Sequence, residues 1–394
     1  MQAEHYDYIF LGAGCASLSI IMRMLASNEF AQKKILLIER ELKVKNDRTW
    51  CFWEKAPGFF EDIVYHKWNR LLFKTGESET ILEMGNYTYK MIRGIDFYEK
   101  CFPVINLKKN IDVVYGEISF TEPVNNSSRI KINDELLLAG EKTIVFNSLY
   151  VPAPKQKNKL YLLQHFKGWI IETPDDFFNG DEATLMDFSV SQNNGTTFVY
   201  VLPLSSKKAL VEYTLFSKEL LSARDYDAAL KKYIDNFLKL SNYKICEEEF
   251  GVIPMTNENF SFFKNGVYNI GTAGGQTKAS TGYTFQFIQK QADEIIEELT
   301  SKDNLSKNKK IKKRFLFYDS TLLHILSKHL LEGKIIFSTL FKKNPAHKVL
   351  KFLDNETSIK EEIKLLNSLP KRIFIEAGFK ELMKVIFFRK KSYK

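Results

Sequence analysis

Cysteine and histidine are both scarce, with four Cys and six His in 394 residues. The cysteines (Cys15, Cys51, Cys101 and Cys246) are scattered and form no C-x-x-C pair. That argues against a zinc site or a disulfide framework and fits a reducing compartment. No stretch reaches 18 uninterrupted apolar residues, so no spanning helix is expected. The opening residues, MQAEHYDYIFLGAG, carry no basic segment before a short apolar run, so no leader peptide is expected. Acidic residues thin out towards the end. Residues 301–394 hold 23 Lys and Arg against 9 Asp and Glu, net +14, whereas residues 1–300 hold 34 against 39, net −5. The chain's +9 therefore resides in its last quarter. No helix-turn-helix, zinc-finger or aromatic RNA-binding motif accompanies it, so nucleic acid is not expected as a partner. A solubilising helical surface and contact with an anionic membrane surface remain as readings of that basic quarter. What is plentiful is apolar and aromatic: 44% hydrophobic residues and 32 Phe exclude a disordered chain, and the length allows two or three domains.

The pattern along the chain is mixed. YDYIFLGAGCASLSIIMRMLASNEF reads as strand, glycine turn and helix, and KKILLIER as the next strand. Strand-like runs follow between 160 and 215 (LYLLQHF, GWIIET, TLMDFSV, TTFVYVLPL and ALVEYTLF), separated by turn-rich pieces such as SQNNGT. Ser222 and Asp225 form a capping-box pattern ahead of a helix with Tyr226, Leu230, Tyr233, Ile234 and Phe237 at helical spacing. A strand and glycine-rich loop return in VYNIGTAGGQTKASTGYTF, leading to a helix expected to begin near Gly282. Residues 301–314 read as a polar, basic hinge, and amphipathic helices without strands follow it.

Gly12-Ala13-Gly14-Cys15-Ala16-Ser17 matches G-x-G-x-x-G with a small residue in the third place. It follows a strand, opens a helix and is answered by Glu39 at the end of the next strand, where a carboxylate can take ribose hydroxyls. A helix N-terminus there offers free N–H groups and a positive dipole end to a pyrophosphate. The second loop, Gly271-Thr272-Ala273-Gly274-Gly275, with Gly282 further on, favours FAD over NAD. A late strand–loop–helix that returns to the nucleotide fold suits a ribityl chain and flavin ring.

One strand is at odds with its composition. In KKALVEYTLFS, Glu212 lies among Leu210, Val211, Tyr213 and Leu215, where an uncompensated carboxylate is costly and raises its pKa. Strict alternation puts Glu212 on a face with Leu210 and Thr214. Periodicity alone leaves open whether it is solvated or held as a proton donor.

Four stretches, NDRTWCFWEK, GWIIETPDDFF, FVYVLPLSSKKALVEYTLFS and GVIPM followed by NIGTAGGQTKASTGYTFQFI, together resemble the lycopene beta-cyclases of the bacterial type. The resemblance runs over nearly the whole chain. It implies an α/β (α+β) fold: a Rossmann-like FAD-binding domain of the hydroxylase-like flavoprotein type, an antiparallel-sheet substrate domain and a helical C-terminal region. It further implies acid-catalysed cyclisation of linear lycopene, via gamma-carotene to beta-carotene, an isomerisation with no net redox change that needs reduced FAD, with NADPH as the electron source. An FAD-dependent monooxygenase or reductase acting on an isoprenoid is the alternative.

Carried onto this sequence, Glu212 matches the family's catalytic glutamate. Gly12, Ala13, Gly14, Glu39, Gly271, Ala273, Gly274 and Gly282 are expected at the cofactor. Trp50, Phe52, Trp53, Trp169, Tyr213 and Tyr283 are expected at lycopene or other linear carotenoids. Asp187 is a further candidate polar group for the pocket, and no metal is expected. Thr272 stands where many flavoproteins have an aspartate, which weakens the hydroxylase reading. The expected division is 1–60 with 100–150 and 265–300 for FAD, 61–99 with 151–264 for substrate, and 301–394 as a basic region facing the membrane. A bilayer-dwelling substrate places the protein peripherally, on the cytoplasmic side of a membrane.

Overall fold

The computed structural model describes residues 6–391 except 77, 125–126, 153, 303 and 309–311. Five parallel strands build the first sheet, in the spatial order Val267–Asn269, Ile144–Asn147, Tyr8–Leu11, Ile35–Glu39 and Ile111–Tyr115, with Phe263–Lys264 as an antiparallel edge. The Tyr8–Leu11 and Ile35–Glu39 strands are buried at every position, as expected of parallel strands covered on both faces. One face packs on the helices Cys15–Ala26 and Phe285–Lys302. The other packs on a three-stranded antiparallel sheet through Ile9, Leu11, Leu36 and Ile38 against Ile130, Ile132 and Leu137.

A seven-stranded sheet forms the second layer, ordered Lys244–Thr256, Tyr161–Glu172, Lys208–Ser217, Thr196–Pro203, Glu182–Asp187, Arg70–Lys74 and Glu79–Leu82. Its pairings are antiparallel apart from Glu182–Asp187 with Arg70–Lys74. A small antiparallel sheet of Thr49–Glu54, Thr88–Arg93 and His66–Trp68 lies between the two layers. Five helices (Lys313–Ser327, Gly333–Lys343, Ala346–Leu353, Ile359–Leu366 and Lys371–Lys391) complete the described chain, without a strand among them. The mixed fold class and the helical C-terminal region agree with the sequence.

Three local expectations differ. LYLLQHF and GWIIET are one continuous strand, because Gly168 is paired on both sides and does not interrupt it. Lys244–Thr256, which three successive glutamates disguise, is a full 13-residue strand at the sheet edge. The helix after the second glycine loop begins at Phe285, not near Gly282. Gly282 has φ +73° in a turn where Lys278 O accepts from Thr281 N and Gly282 N, a left-handed backbone no helix continues. Of the basic hinge, 303 and 309–311 lie outside the described residues; helix runs up to Lys302 and restarts at Lys313. The capping box on Ala223–Tyr233 is present as expected.

Candidate active site

Glu212 stands on the strand Lys208–Ser217, opposite Gly168 on one neighbouring strand and Tyr200 on the other. It is partly accessible, whereas its strand neighbours Val211, Tyr213 and Leu215 are buried. Thr214 Oγ1 donates to Glu212 Oε1 at 2.8 Å. Burial, and next the nearby Glu249 carboxylate, hold the Glu212 carboxyl well above the usual carboxylate range. The residue keeps some accessible surface, while its carboxyl group is enclosed by protein.

The side chains facing Glu212 come from elements far apart in sequence. Thr49, Cys51 and Trp53 alternate onto the near face of Thr49–Glu54. Cys51 feels Glu212 and Glu249, and its thiol is pushed far up by burial. Tyr89, Tyr200 and Tyr283 share hydroxyl hydrogen bonds, with Tyr283 between the other two, and burial keeps all three phenols neutral. Trp53 lies edge-on to Tyr283 at 4.5 Å and stacks near Tyr89 at 6.5 Å between centroids. Its indole Nε1 donates to Asp354 Oδ2 at 2.8 Å, which orients the ring. A narrow cleft nearby is of mixed character, lined by Thr49, Met91, Ile170 and Leu210 but also by Arg93 and Glu247. The arrangement can hold a neutral carboxylic acid against an apolar, aromatic wall.

Asp354 supplies a measurable signature. Burial raises its carboxyl to about 7. A folded pKa above the unfolded one means that stability falls as pH rises from about 4 to about 7. Asp354→Asn keeps an acceptor for Trp53 and removes that slope. Denaturant unfolding at pH 5 and pH 8 is expected to show a smaller difference for the variant than for the parent; an equal difference contradicts the assignment.

The other expected aromatics separate into distinct surroundings. Trp50 and Phe52 point to the far face of their strand, where they pack on Phe97 and Phe285. Trp169 and Tyr213 lie on the opposite face of the large sheet from Glu212, among Val211, Tyr226, Leu230 and Tyr233 on the helix Ala223–Tyr233. Asp187 is on that side too, accepting from Tyr233 Oη at 2.7 Å, so it is no part of the Glu212 surroundings. Of the six, Trp53 and Tyr283 are brought to the glutamate. Thr49, Cys51, Tyr89, Tyr200 and Glu249 went unnoticed in the sequence. Alternation away from Trp53 gives Cys51 and Thr49, but nothing local points to Tyr89 or Tyr200.

The expected cofactor residues gather at the end of the parallel sheet. Gly12 has φ +88°, and a side chain at Gly14 would meet no heavy atom within 4 Å. No side chain caps the helix that starts at Cys15. The Ser17 hydroxyl in its first turn is buried without a partner among the described residues. Glu39 Oε2 accepts from Ala13 N at 2.6 Å, so the acidic residue and the glycine turn are one unit. The second loop closes on the first: a Cβ on Gly271, at φ +58°, would lie 2.8 Å from Ala16 Cβ. Gly282 meets the sheet, where a Cβ would stand 2.0 Å from Gln164 Oε1. Open space at Gly14, uncapped N–H groups and an orphaned hydroxyl suit a dinucleotide diphosphate. Ala273 and Gly274 belong to the 3₁₀ turn Gly271–Gly274 of the same loop.

Comparison with known proteins gives the family and the fold. The family model described as lycopene cyclase protein matches residues 7–377. A lycopene beta-cyclase from Pseudescherichia vulneris is 27% identical over 303 residues, covering 74% of this chain and 73% of that protein. Among solved structures, a geranylgeranyl bacteriochlorophyll reductase-like protein from Thermoplasma acidophilum superposes with a TM-score of 0.59 at 13% identity, over 95% of this chain and 98% of the other. An HpxO variant from Klebsiella pneumoniae, solved with FAD, gives 0.52 at 12% identity over 93% and 100%. The structural likenesses establish a flavoprotein-type fold, and the match along nearly the whole sequence establishes that the chain belongs to the lycopene cyclase family.

Proposed function

We propose that this chain is a lycopene beta-cyclase that closes the ends of a linear carotenoid by acid catalysis, with Glu212 as the acid. The observation that carries this reading is a carboxyl group held far above its ordinary pKa, beside Trp53 and a set of tyrosines, in a member of this family. Glu212 gives its proton to the terminal carbon–carbon double bond, leaving a tertiary cation. The neighbouring double bond attacks that cation and closes the six-membered ring. Loss of a proton from the ring gives the β end group, so no atoms or electrons are gained and the reaction is an isomerisation. General-acid catalysis of this kind contributes about 10²–10⁴-fold. The Trp53 and tyrosine faces steady a passing cation by about 2 kcal/mol when desolvated.

FAD fits the glycine-lined end of the parallel sheet. Gly12–Gly14 with the uncapped helix turn would hold the diphosphate, Glu39 a ribose, and Gly271–Gly274 with Gly282 the part leading to Tyr283. When bound and reduced, with NADPH as electron source, the flavin supplies negative charge near a developing cation. On this reading the nucleotide domain comprises 1–60, 100–150 and 265–300, with 61–99 and 151–264 as substrate domain. Expression in a lycopene-accumulating host tests the function: orange β-carotene is expected, unchanged red lycopene overturns it. Stoichiometric NADPH consumption with an oxidised or reduced isoprenoid product would establish the monooxygenase or reductase alternative.

A bilayer-dwelling substrate also calls for contact with a membrane. No described helix is long and apolar enough to cross one. The helix Lys371–Lys391 leaves Ile375, Phe379, Leu382 and Ile386 exposed at a spacing of four, three and four residues, with the exposed Lys371, Arg372 and Lys380 on the same helix. Its inner side is fixed by the buried Ala377 and by Glu381, which accepts from His324 Nδ1 at 2.6 Å when that nitrogen is protonated. Such a face suits peripheral docking on anionic lipid. Ile375→Asp with Phe379→Asp is expected to weaken sedimentation with anionic vesicles about tenfold, or ~1.4 kcal/mol. Unchanged sedimentation removes the idea.

A further inference from the structure

Three residues form one row across three adjacent strands: Glu212, then Gly168, then Glu249. Gly168 carries no side chain, and the row closes over it. A Cβ there would stand 2.8 Å from Leu210 Cδ1, 2.9 Å from Glu249 Cγ and 3.1 Å from Glu249 Oε1. Glu249 therefore lies across the glycine towards Glu212, and the two carboxyl groups are within hydrogen-bond reach of each other. Any larger residue at 168 would hold them apart.

The bonding around the pair has one gap. Glu249 Oε2 accepts from Thr49 Oγ1 at 2.7 Å. Glu249 Oε1 is buried and, among the described residues, has no hydrogen-bond donor from an N–H or hydroxyl group. Glu212 has Thr214 Oγ1 on its own Oε1. Two ionised carboxylates in this position would repel and would leave Glu249 Oε1 unsatisfied. One proton on Glu212 removes both faults, because the acid then donates to Glu249.

We propose that Glu249 is the positioning residue that keeps the reactive proton on Glu212, the two carboxyls sharing one proton across Gly168. The idea rests on Glu212 being the acid. Thr49 fixes the Glu249 carboxylate and Thr214 fixes the Glu212 carboxyl, so the proton has a defined place. After Glu212 transfers its proton to the alkene carbon, two carboxylates face each other. That repulsion makes Glu212 a stronger base for the proton lost from the ring cation, and the pair ends with the one proton it began with.

The other titratable groups facing the pair are Cys51, Tyr200 and Tyr283 around Glu212 and Glu247 beyond Glu249. The thiol and the phenols stay neutral where carboxyls titrate, since burial raises each of them. Glu247 sits on the same strand, 4.0 Å from Lys208, and adds negative charge towards Glu249.

The test is the pH profile of initial cyclisation rates with FAD-loaded protein. Glu249→Gln removes the charge and keeps the shape, so the alkaline limb is expected to move down by about one pH unit or more, and the plateau at lower pH to fall as well, because the repulsion that helps Glu212 take back a proton is lost. Glu249→Asp restores a carboxylate one methylene further back, and its limb is expected to fall between the two. A structural role alone lowers the rate evenly and leaves the limb in place. An unmoved limb in Glu249→Gln overturns the proposal. Should that variant not fold, an unmoved limb in Glu249→Asp does the same. Glu212→Gln separates the two ideas: retained activity sinks Glu212 as the acid, whereas an inactive Glu212→Gln with an unmoved Glu249 limb sinks Glu249 alone.

Discussion

Glu212→Gln is expected to lower cyclisation by about 10³-fold or more while making the protein more resistant to unfolding at neutral pH. Both effects have one origin. In the folded chain, burial and the neighbouring Glu249 raise the Glu212 carboxyl well above its unfolded value. Between those two values the folded state binds a proton that the unfolded state has lost, so stability declines as pH climbs through that window. Glutamine has no proton to lose, so the variant escapes the decline, and its amide still accepts from Thr214 and donates to Glu249. Thermal melts at pH 5 and pH 8, alongside pigment assays, check both halves. A variant that is inactive and also less stable at pH 8 would point to a structural glutamate.

Gly14→Val should abolish retention of FAD without harming the fold. The backbone at Gly14 has φ −80° and ψ 178°, which any residue adopts, and the added carbon meets no heavy atom within 4 Å. The empty place is where the diphosphate would approach the helix that starts at Cys15. A branched side chain fills it, and the loss of cofactor is expected to exceed 100-fold, about 2.7 kcal/mol or more. Flavin absorbance after gel filtration, with circular dichroism and thermal melts as controls, reads the outcome. A Gly14→Val protein that keeps its flavin would place the cofactor elsewhere. Gly12→Val is the uninformative neighbour, since Gly12 has φ +88° and a Cβ there would lie 2.6 Å from Ser148 Oγ.

These two residues also mark how far the sequence could be followed. The glycine turn was legible because its chemistry is local: a strand, two glycines and a helix start lie within a dozen residues, and Glu39 follows at the end of the next strand. Glu212 was legible as an anomaly, a carboxylate in an apolar strand, although alternation could not say which face mattered. Trp169 shows why. It stands next to Gly168 on the same strand, yet it points to the helix Ala223–Tyr233 while Gly168 lies in the row of Glu212. Only the pairing between strands separates the two faces. Glu249 was hidden by its own neighbours, since Glu247 and Glu248 make the segment look like a solvated edge. Its partners Thr49 and Glu212 are 200 and 37 residues away along the chain, and strand register alone brings them together.

The claim on which the rest depends is that Glu212 carries a proton at neutral pH. Infrared difference spectra of the FAD-loaded protein against Glu212→Gln, taken at pH 7, address it directly. A protonated carboxylic acid has a carbonyl stretch well separated from the ionised carboxylate bands. The account predicts that band in the parent, its loss in the variant and its persistence until the pH exceeds the ordinary carboxylate range. A difference spectrum at pH 7 that shows only the bands of an ionised carboxylate would contradict it.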